Sequence, residues 1–215
     1  MQKTIYIRDM YHLSDFCQND SAGRYNIPKI KKECFIPSHL IDFSQALTSK
    51  DFEAGIHFYI DDNRFERIWR SPQRYLPILR KFSCVLSPDF SLYQDMPLAM
   101  KIWNIYRSRF LGQIMQRAGI RVIPTISWAA KDTYSFCFSG IDSNSVISIS
   151  TLGTLNTKKA QGIFQQGCQK MCSVIKPKTI LLYGSLPDYD FGKIEIIQYK
   201  YSRYDWKKQK NNNVY

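Results

Sequence analysis

The sequence lacks the motifs by which several large enzyme classes are recognised. It contains no GxGxxG dinucleotide loop, no GxxxxGK phosphate loop, no HExxH helix and no GxSxG elbow. Each of these motifs supplies a phosphate cradle, a pair of metal ligands or a nucleophile turn that its chemistry requires. We therefore expect the chain to be neither a Rossmann dehydrogenase, a P-loop ATPase, a zincin nor an α/β-hydrolase.

Long apolar runs and paired cysteines are also missing. No stretch approaches the roughly 20 apolar residues that span a bilayer, and the N-terminus has no apolar signal core. We therefore predict a protein without a membrane partner, located in the cytoplasm. None of the six cysteines forms a CxxC pair, although Cys168 and Cys172 are spaced to share a helix face. No second close Cys or His pair completes a zinc site, so we predict reduced cysteines in the core.

Acidic residues are few relative to basic ones. The 18 Asp and Glu residues oppose 30 Lys and Arg residues, which gives a net charge of +12. A surplus of this size favours polyanions, so nucleic acid or a nucleotide is the predicted partner, with a host protein as a further possibility. The 44% hydrophobic and 14% aromatic residues are sufficient for a core, and 215 residues suit one domain with or without an appendage.

Predicted strands and helices alternate along most of the chain, and such alternation is typical of a mostly parallel sheet with right-handed crossovers. We predict an α/β fold of alternating βα units: an incomplete or distorted TIM-like barrel, or alternatively an open doubly wound parallel sheet. The predicted strands are residues 55–60, 82–86, 121–128, 146–150, 179–183 and 193–201, with a short extra strand at 134–138, and the predicted helices are residues 64–69, one beginning at 72, 97–118 and 157–176.

Prolines and basic residues interrupt any regular pattern near the N-terminus. We predict residues 1–50 to be an arm that packs on the domain and residues 51–192 to be the α/β core domain. Residues 193–215 then form a C-terminal strand and a polar, basic tail.

A candidate site lies where the predicted strands end, because ligands of parallel α/β folds bind at the carboxyl ends of the strands. The strand at residues 82–86 ends at Ser87-Pro88, and the loop that follows carries Asp89, Ser91 and Tyr93. The remaining strand ends carry Asp61 and Asp62, then Ser127 and Trp128, then Ser150 and Thr151, and finally Tyr183 and Ser185.

Three carboxylates are the candidate catalytic residues. We predict Asp89 to be central, with Asp61 or Asp62 beside it. The same three side chains are candidate ligands for Mg²⁺ or Mn²⁺, because these cations prefer oxygen ligands. The alternative is structural: Asp61 and Asp62 cap the following helix, and Asp89 pairs with Arg107 or Arg109.

The predicted substrate-binding side chains are hydroxyls, cations and aromatic rings. Ser91 and Tyr93 orient the substrate, while Arg107 and Arg109 on the long helix hold phosphate. His57 lies within a predicted strand and is expected to be a core histidine. Trp128 and Tyr183 complete the substrate-binding set, and a basic ridge, or a merely solvated helix face, is formed by Arg64, Arg67, Arg70 and Arg74.

Five strings occur in this order along the chain: GIHFYIDDNRFERIW, VLSPDFSLYQDMPLAMKIWNIYRSR, RVIPTISW, SFCFSGI and YGSLP. They resemble an uncharacterised family of bacterial and phage proteins, a domain of unknown function that occurs in phages, plasmids and other mobile elements. The resemblance covers about residues 40–186. It implies that positions 61–62, 89–93 and 104–109 matter to the family, and it implies no activity.

Three functional interpretations follow, and they leave open whether the chain is an enzyme. In the first, a phage or mobile-element protein acts on nucleic acid or a nucleotide, with metal-dependent phosphodiester cleavage or glycosidic cleavage as the reaction. In the second, a non-catalytic binder sequesters a nucleotide signal or grips DNA or a host protein. In the third, the site residues serve folding alone, and replacing Asp89 by asparagine lowers stability.

Overall fold

Within residues 10–200, which the computed structural model describes, seven parallel strands and the helices between them form the frame of the protein. No helix in this part of the chain is long and apolar enough to cross a membrane. An antiparallel pair, β1 (Ser21–Ala22) and β2 (Ile27–Pro28), comes first. The parallel strands are β3 (Leu40–Asp42), β4 (Gly55–His57), β5 (Cys84–Leu86), β6 (Val122–Ile123), β7 (Val146–Ser150), β8 (Thr179–Tyr183) and β9 (Glu195–Tyr199). The helices are α1 (Phe43–Ala46), α2 (Asp62–Arg70), α3 (Pro72–Leu79), α4 (Leu98–Arg117) and α5 (Lys158–Ile175).

The parallel strands follow one another in space in the order of the chain. Strands β3 to β6 form one sheet and β7 to β9 form a second. An isolated parallel bridge between Thr125 and Ser148 connects the two sheets. A doubly wound sheet reverses its strand order at a switch point, so the doubly wound alternative does not fit this order. No hydrogen-bonded ladder joins β9 to β3 among the described residues, and closure into a barrel is therefore not shown.

Alternate residues of the strands face two different layers of core, because successive side chains of a strand point to opposite faces. Val85, Ile147 and Ile180 pack against the helices. Their sequence neighbours point the other way and form what we call the inner cluster. Its buried members are Tyr59, Cys84, Leu86, Ile123, Val146, Leu181, Tyr183 and Tyr199, and Leu40 and Ile197 pack against them.

The long elements agree with the predictions from sequence. Strands β7 and β8 have the predicted bounds. The helix predicted at residues 97–118 is α4, and Gly119 follows it at φ +77°, a left-handed conformation that favours glycine. Helix α5 begins after Thr157, whose Oγ1 accepts the N–H of Ala160 at 3.1 Å.

Two predicted strands differ most from the structure. Residues 134–138 lie in turns that follow a 3₁₀ helix at Lys131–Thr133, and burial of Phe136 and Cys137 accounts for their apolar character. Of the strand predicted at residues 121–128, only Val122–Ile123 belongs to the ladder, because Pro124 has no N–H with which to continue it.

The first parallel strand lies in the segment that we interpreted as irregular. Strand β3 pairs with β4, with Ile41 opposite Ile56. Asp42 ends the strand and starts α1 with a capping box, in which its side chain accepts the N–H groups of Ser44 and Gln45. A strand of three residues is too short to produce a readable sequence pattern. The division at residues 50 and 192 stays a prediction, and the basic tail after residue 200 lies outside the described residues.

Candidate active site

The carboxyl ends of β4 to β7 bring a group of polar side chains together. Asp89 follows β5 on a loop that Ser87 anchors. The fully buried Ser87 uses its Oγ to accept the N–H of Thr125 at 2.9 Å. This bond fastens the start of the Asp89 loop to the chain that leaves β6. Asp89 therefore lies on an anchored loop, near Asp62, Ser127 and Arg109.

Asp89 is a half-buried carboxyl group with an unusually high proton affinity. Burial is the largest cause, and together with the negative charge of Asp62 it raises the pKa of Asp89 from 3.8 to about 7. The Ser127 hydroxyl and the positive charge of Arg109 favour the ionised form and oppose this rise only in part. Near neutral pH the carboxyl group can therefore both donate and accept a proton, which is what a general acid–base catalyst requires.

Asp62 is positioned by the loop that carries Ser91. Its carboxylate accepts the backbone N–H of Ser91 at 3.1 Å and the hydroxyl of Ser91 at 2.8 Å. Asn104 on α4 fixes the same loop by donating from Nδ2 to the Ser91 carbonyl at 2.7 Å. Burial raises the pKa of Asp62, whereas the bonds from Ser91 and the charge of Arg107 lower it. The second carboxyl group is thus tethered, while Asp89 is the more strongly perturbed of the two.

Tyr59 adds a hydroxyl group near Asp89, and Ser148 is hydrogen-bonded to Tyr59. The Oη of Tyr59 lies 2.6 Å from the Oγ of Ser148, and both side chains are buried. Burial first, and then the negative charge of Asp89, raise the pKa of the Tyr59 phenol. Tyr59 is therefore a neutral hydrogen-bonding group at all ordinary pH values.

Arg107 pairs with a glutamate rather than with Asp89. Its Nη1 donates to both carboxylate oxygens of Glu66, at 2.8 and 2.9 Å, and its Nη2 donates to Oδ1 of Asn104 at 2.6 Å. The guanidinium also lies 3.8 Å above the centre of the Phe90 ring. Arg107 therefore braces Asn104 and, through it, the Ser91 loop. A phosphate contact for Arg107 stays a prediction.

Arg109 is completely buried, and its partners are backbone carbonyl groups. Its Nη1 donates to the Thr125 carbonyl at 2.7 Å and its Nη2 donates to the Cys137 carbonyl at 2.9 Å. Burial lowers the pKa of Arg109 to about 10, although the charge of Asp89 opposes this. The predicted ion pair with Asp89 is replaced by a longer-range attraction. The predicted phosphate contact has no exposed surface of Arg109 on which to form.

The remaining predicted site residues occupy different surroundings from one another. Asp61 is exposed before α2, and its side chain makes no capping bond, so the capping alternative is wrong for this residue. Tyr93 is 63% exposed. Trp128 packs beside Phe164 of α5, with ring centres 5.3 Å apart. Tyr183 stacks on Tyr59 at 4.9 Å and so borders the site from the inner cluster. Substrate contacts for Tyr93, Trp128 and Tyr183 stay predictions.

A metal site receives no support from this arrangement. In residues 10–200, no group of three or more His, Cys, Asp or Glu side chains is placed to hold a metal ion. Asp61 is exposed, whereas the Asp62 carboxylate is held by Ser91. The metal role of Asp61, Asp62 and Asp89 therefore remains a prediction from sequence.

Comparison with known proteins identifies the family. Residues 19–200 match the family model described as "Domain of unknown function (DUF4417)". The chain belongs to this family. It is 38% identical over 170 residues to the "Gene 1 protein" of Mycobacterium phage D29, an alignment that covers 77% of this chain and 63% of that protein. It is also 38% identical over 175 residues to the "Gene 1 protein" of Mycobacterium phage L5, which covers 80% of this chain and 76% of that protein. No solved structure gives a significant match.

The DUF4417 match confirms the resemblance to a family with phage members and extends it on both sides of residues 40–186. The strings that carried the resemblance are also the ones that contact one another. Asp62 comes from the first of these strings, and Ser91, Asn104 and Arg107 come from the second. The four residues form one hydrogen-bonded chain.

Two residues of the candidate site, Tyr59 and Ser148, were missed by the sequence analysis. Strand β4 was predicted to extend to residue 60, which placed Tyr59 inside a strand. In the structure β4 ends at His57, so Tyr59 lies beyond the strand end. Ser148 lies inside β7 and was hidden by the apolar residues on either side. The period-two alternation of β7 is the signal that could have revealed Ser148, because it points this hydroxyl away from the helices.

Proposed function

We propose that this chain is a phage or mobile-element protein that cleaves a glycosidic bond in a nucleoside, nucleotide or nucleic acid in the host cytoplasm. The observation that carries this proposal is the Asp89 carboxyl group, whose pKa is raised to about 7 beside a second carboxyl group, Asp62. Glycosidic cleavage commonly uses two carboxyl groups whose environments push their pKa values apart.

The architecture that we propose around this site is an incomplete barrel. Two observations support it: the seven parallel strands follow the order of the chain, and nearly all of them contribute side chains to the inner cluster. The hydroxyl of Tyr199 in β9 donates to the carbonyl of Pro37, just before β3, at 2.5 Å. This contact brings the two outer strands of the series near each other. In such a barrel Asp89 lies at the face where active sites form.

The proposed reaction assigns one step to each carboxyl group. Protonated Asp89 donates its proton to the leaving base or oxygen as the bond to the sugar carbon breaks. The negative charge of Asp62 stabilises the positive charge that develops on the sugar. Water then adds its hydroxyl to the sugar carbon and returns a proton to Asp89, so that one water is consumed for each bond cleaved. Tyr59 offers a neutral hydrogen bond beside Asp89 throughout.

Exposed arginines on α2 and α3 support a nucleic-acid or nucleotide substrate. Arg67, Arg70 and Arg74 are exposed along α2 and α3, and α2 begins at Asp62. These cations and the net charge of +12 attract a phosphate backbone toward the strand ends. The carboxyl groups themselves repel phosphate, which favours an uncharged bond between sugar and base as the reacting group.

The direct test is release of free base by the full-length protein. Nucleosides, nucleotides, single- and double-stranded DNA, and RNA are incubated with EDTA or with Mg²⁺ or Mn²⁺, and products are separated by mass spectrometry. We expect base release with the chelator present and a loss of about 100-fold or more in Asp89→Asn, because a positioned general acid contributes at least that much. The matched control is Asp95→Asn, an exposed carboxylate of the same loop, which should retain activity.

Two results would contradict the proposal. One is full activity in Asp89→Asn. The other is cleavage of phosphodiester bonds, seen as shortened strands with their bases intact and only when Mg²⁺ or Mn²⁺ is added. That outcome would restore the metal-dependent interpretation of Asp61, Asp62 and Asp89.

The exposed arginines of α2 and α3 also favour a second candidate function, binding of a polyanion without chemistry. We expect Arg67→Gln, Arg70→Gln and Arg74→Gln together to weaken nucleic-acid binding and to flatten its salt dependence. The slope of log K against log salt should fall by about 0.7–0.9 per lost phosphate contact. The control removes three exposed lysines of α5 instead, Lys158, Lys159 and Lys170. Equal effects of both triple variants would show that net charge alone drives binding.

A further inference from the structure

A cavity of about 260 Å³ lies between β3 and β9, the outer strands of the parallel series. Asp42 and Leu40 of β3 line one side, and Gln198 and Tyr199 of β9 line the other. His57, at the end of β4, and Tyr183, at the end of β8, also line it. The cavity adjoins the Asp89 group across Tyr59, whose ring centre lies 5.6 Å from that of His57.

His57 supplies a buried hydrogen-bond donor to this cavity. The side chain is 4% exposed, and its Nδ1 accepts the backbone N–H of Tyr59 at 3.1 Å. A neutral imidazole that accepts at Nδ1 carries its hydrogen on Nε2. Burial lowers the pKa of His57 to about 4, so the ring is neutral at physiological pH. No described residue accepts the Nε2 hydrogen, which leaves a donor for a ligand.

Acceptors and a second donor stand beside His57. Asp42 uses Oδ1 for the N–H groups of Ser44 and Gln45, which leaves Oδ2 as an acceptor. Gln45 uses Oε1 for the N–H of Asp42 and keeps its amide hydrogens. Gln198 donates to the Gly184 carbonyl at 2.8 Å and keeps Oε1. Donors and acceptors therefore lie beside an aromatic wall, where the His57 and Tyr183 ring centres are 4.5 Å apart.

We propose that this cavity binds a nucleobase, either free or as a nucleoside, with His57 Nε2 donating to a ring nitrogen or carbonyl oxygen. A base has an edge of donors and acceptors that Asp42, Gln45 and Gln198 match, and its flat ring suits a cavity with an aromatic lining. The volume falls just below the roughly 300–1,000 Å³ of sites for drug-sized ligands, so an oligonucleotide does not fit. The lining has no buried cation for phosphate, since Lys200 is exposed at the rim.

This inference goes beyond the cleavage reaction and does not depend on it. Asp89 is not among the residues that line the cavity. Binding is therefore expected whether or not Asp89 is catalytic.

The test measures binding of the four bases, their nucleosides and their nucleoside monophosphates to the full-length protein by calorimetry. We expect one base, with or without its sugar, to bind, and the monophosphate to bind no more tightly than the nucleoside. His57→Asn should weaken binding by about tenfold or more. Asparagine keeps an acceptor near the Nδ1 position for the Tyr59 N–H and removes only the Nε2 donor.

Two further variants make the outcome decisive. Asp42→Asn retains the helix cap but turns Oδ2 into a donor, so it should weaken the same ligand even if His57→Asn does not fold. Asp89→Asn should bind as the wild type does, which separates this site from the proposed catalytic one. The inference is overturned if no base or nucleoside binds, or if both the His57 and Asp42 variants bind it unchanged.

Discussion

Asp89→Asn is expected to be more stable than the wild-type protein at pH 8, by about 2–4 kcal/mol, while losing activity. The pKa of Asp89 is about 7 in the folded protein and near 3.8 in the unfolded chain. Below pH 4 the carboxyl group is protonated in both states and does not change the free energy of unfolding. Between pH 4 and 7 the unfolded chain ionises while the folded protein keeps the proton, so the free energy of unfolding falls as pH rises. The free energy of unfolding stays low above pH 7. Asparagine does not ionise, so Asp89→Asn avoids this loss of stability.

Urea unfolding at pH 4.5 and pH 8 checks this expectation, because the gain should be small at the lower pH and largest at the higher one. Asp95→Asn, an exposed carboxylate of the same loop, should show no such difference. A less stable Asp89→Asn at pH 8 would mean that Asp89 forms a stabilising ion pair, as the structural interpretation from sequence supposed. A more stable but inactive variant is the pattern expected of a strained catalytic group.

Arg109→Met is expected to lower the free energy of unfolding by about 3 kcal/mol or more. Methionine has a similar length, but it leaves the carbonyl groups of Thr125 and Cys137 without their buried donors. These two bonds also connect the end of β6 to the turns at residues 134–138, which have no ladder of their own. Removing the positive charge should in addition raise the pKa of Asp89 further.

Thermal and urea unfolding of Arg109→Met and of the exposed-site control Arg70→Met provide the measurement. The control removes the same charge from the end of α2 and should change stability by no more than about 0.5 kcal/mol. If the two variants are equally stable, the cost of burying the Arg109 charge cancels the benefit of its bonds. A large loss confined to Arg109→Met assigns this residue to folding rather than to phosphate binding.

Part of the site was predictable because it depends on strand ends. The carboxyl end of each buried strand is marked by a change from apolar to polar residues. This change correctly located Asp62, Asp89 and Ser127 at the strand ends. The hydrogen-bond partners of the two arginines were predicted less successfully. Arg107 and Arg109 lie only two positions apart on α4, yet one reaches Glu66 on α2 and the other reaches carbonyl groups beyond β6. Their side chains point in directions that differ by about 200° around the helix axis. The sequence does not show which residues lie in each of these directions.

Local patterns determined the α/β class, the bounds of β7 and β8, the long helix α4 and the loop that carries Asp89, because each depends on neighbours in the chain. The tertiary structure alone decided three things: the single running order of the strands, the high proton affinity of Asp89 and the cavity around His57. Each depends on side chains far apart in sequence, such as Asp62 beside Asp89 and Tyr183 against His57. Burial and charge act through space, so their effect on a pKa or a free donor appears only once the strands have assembled.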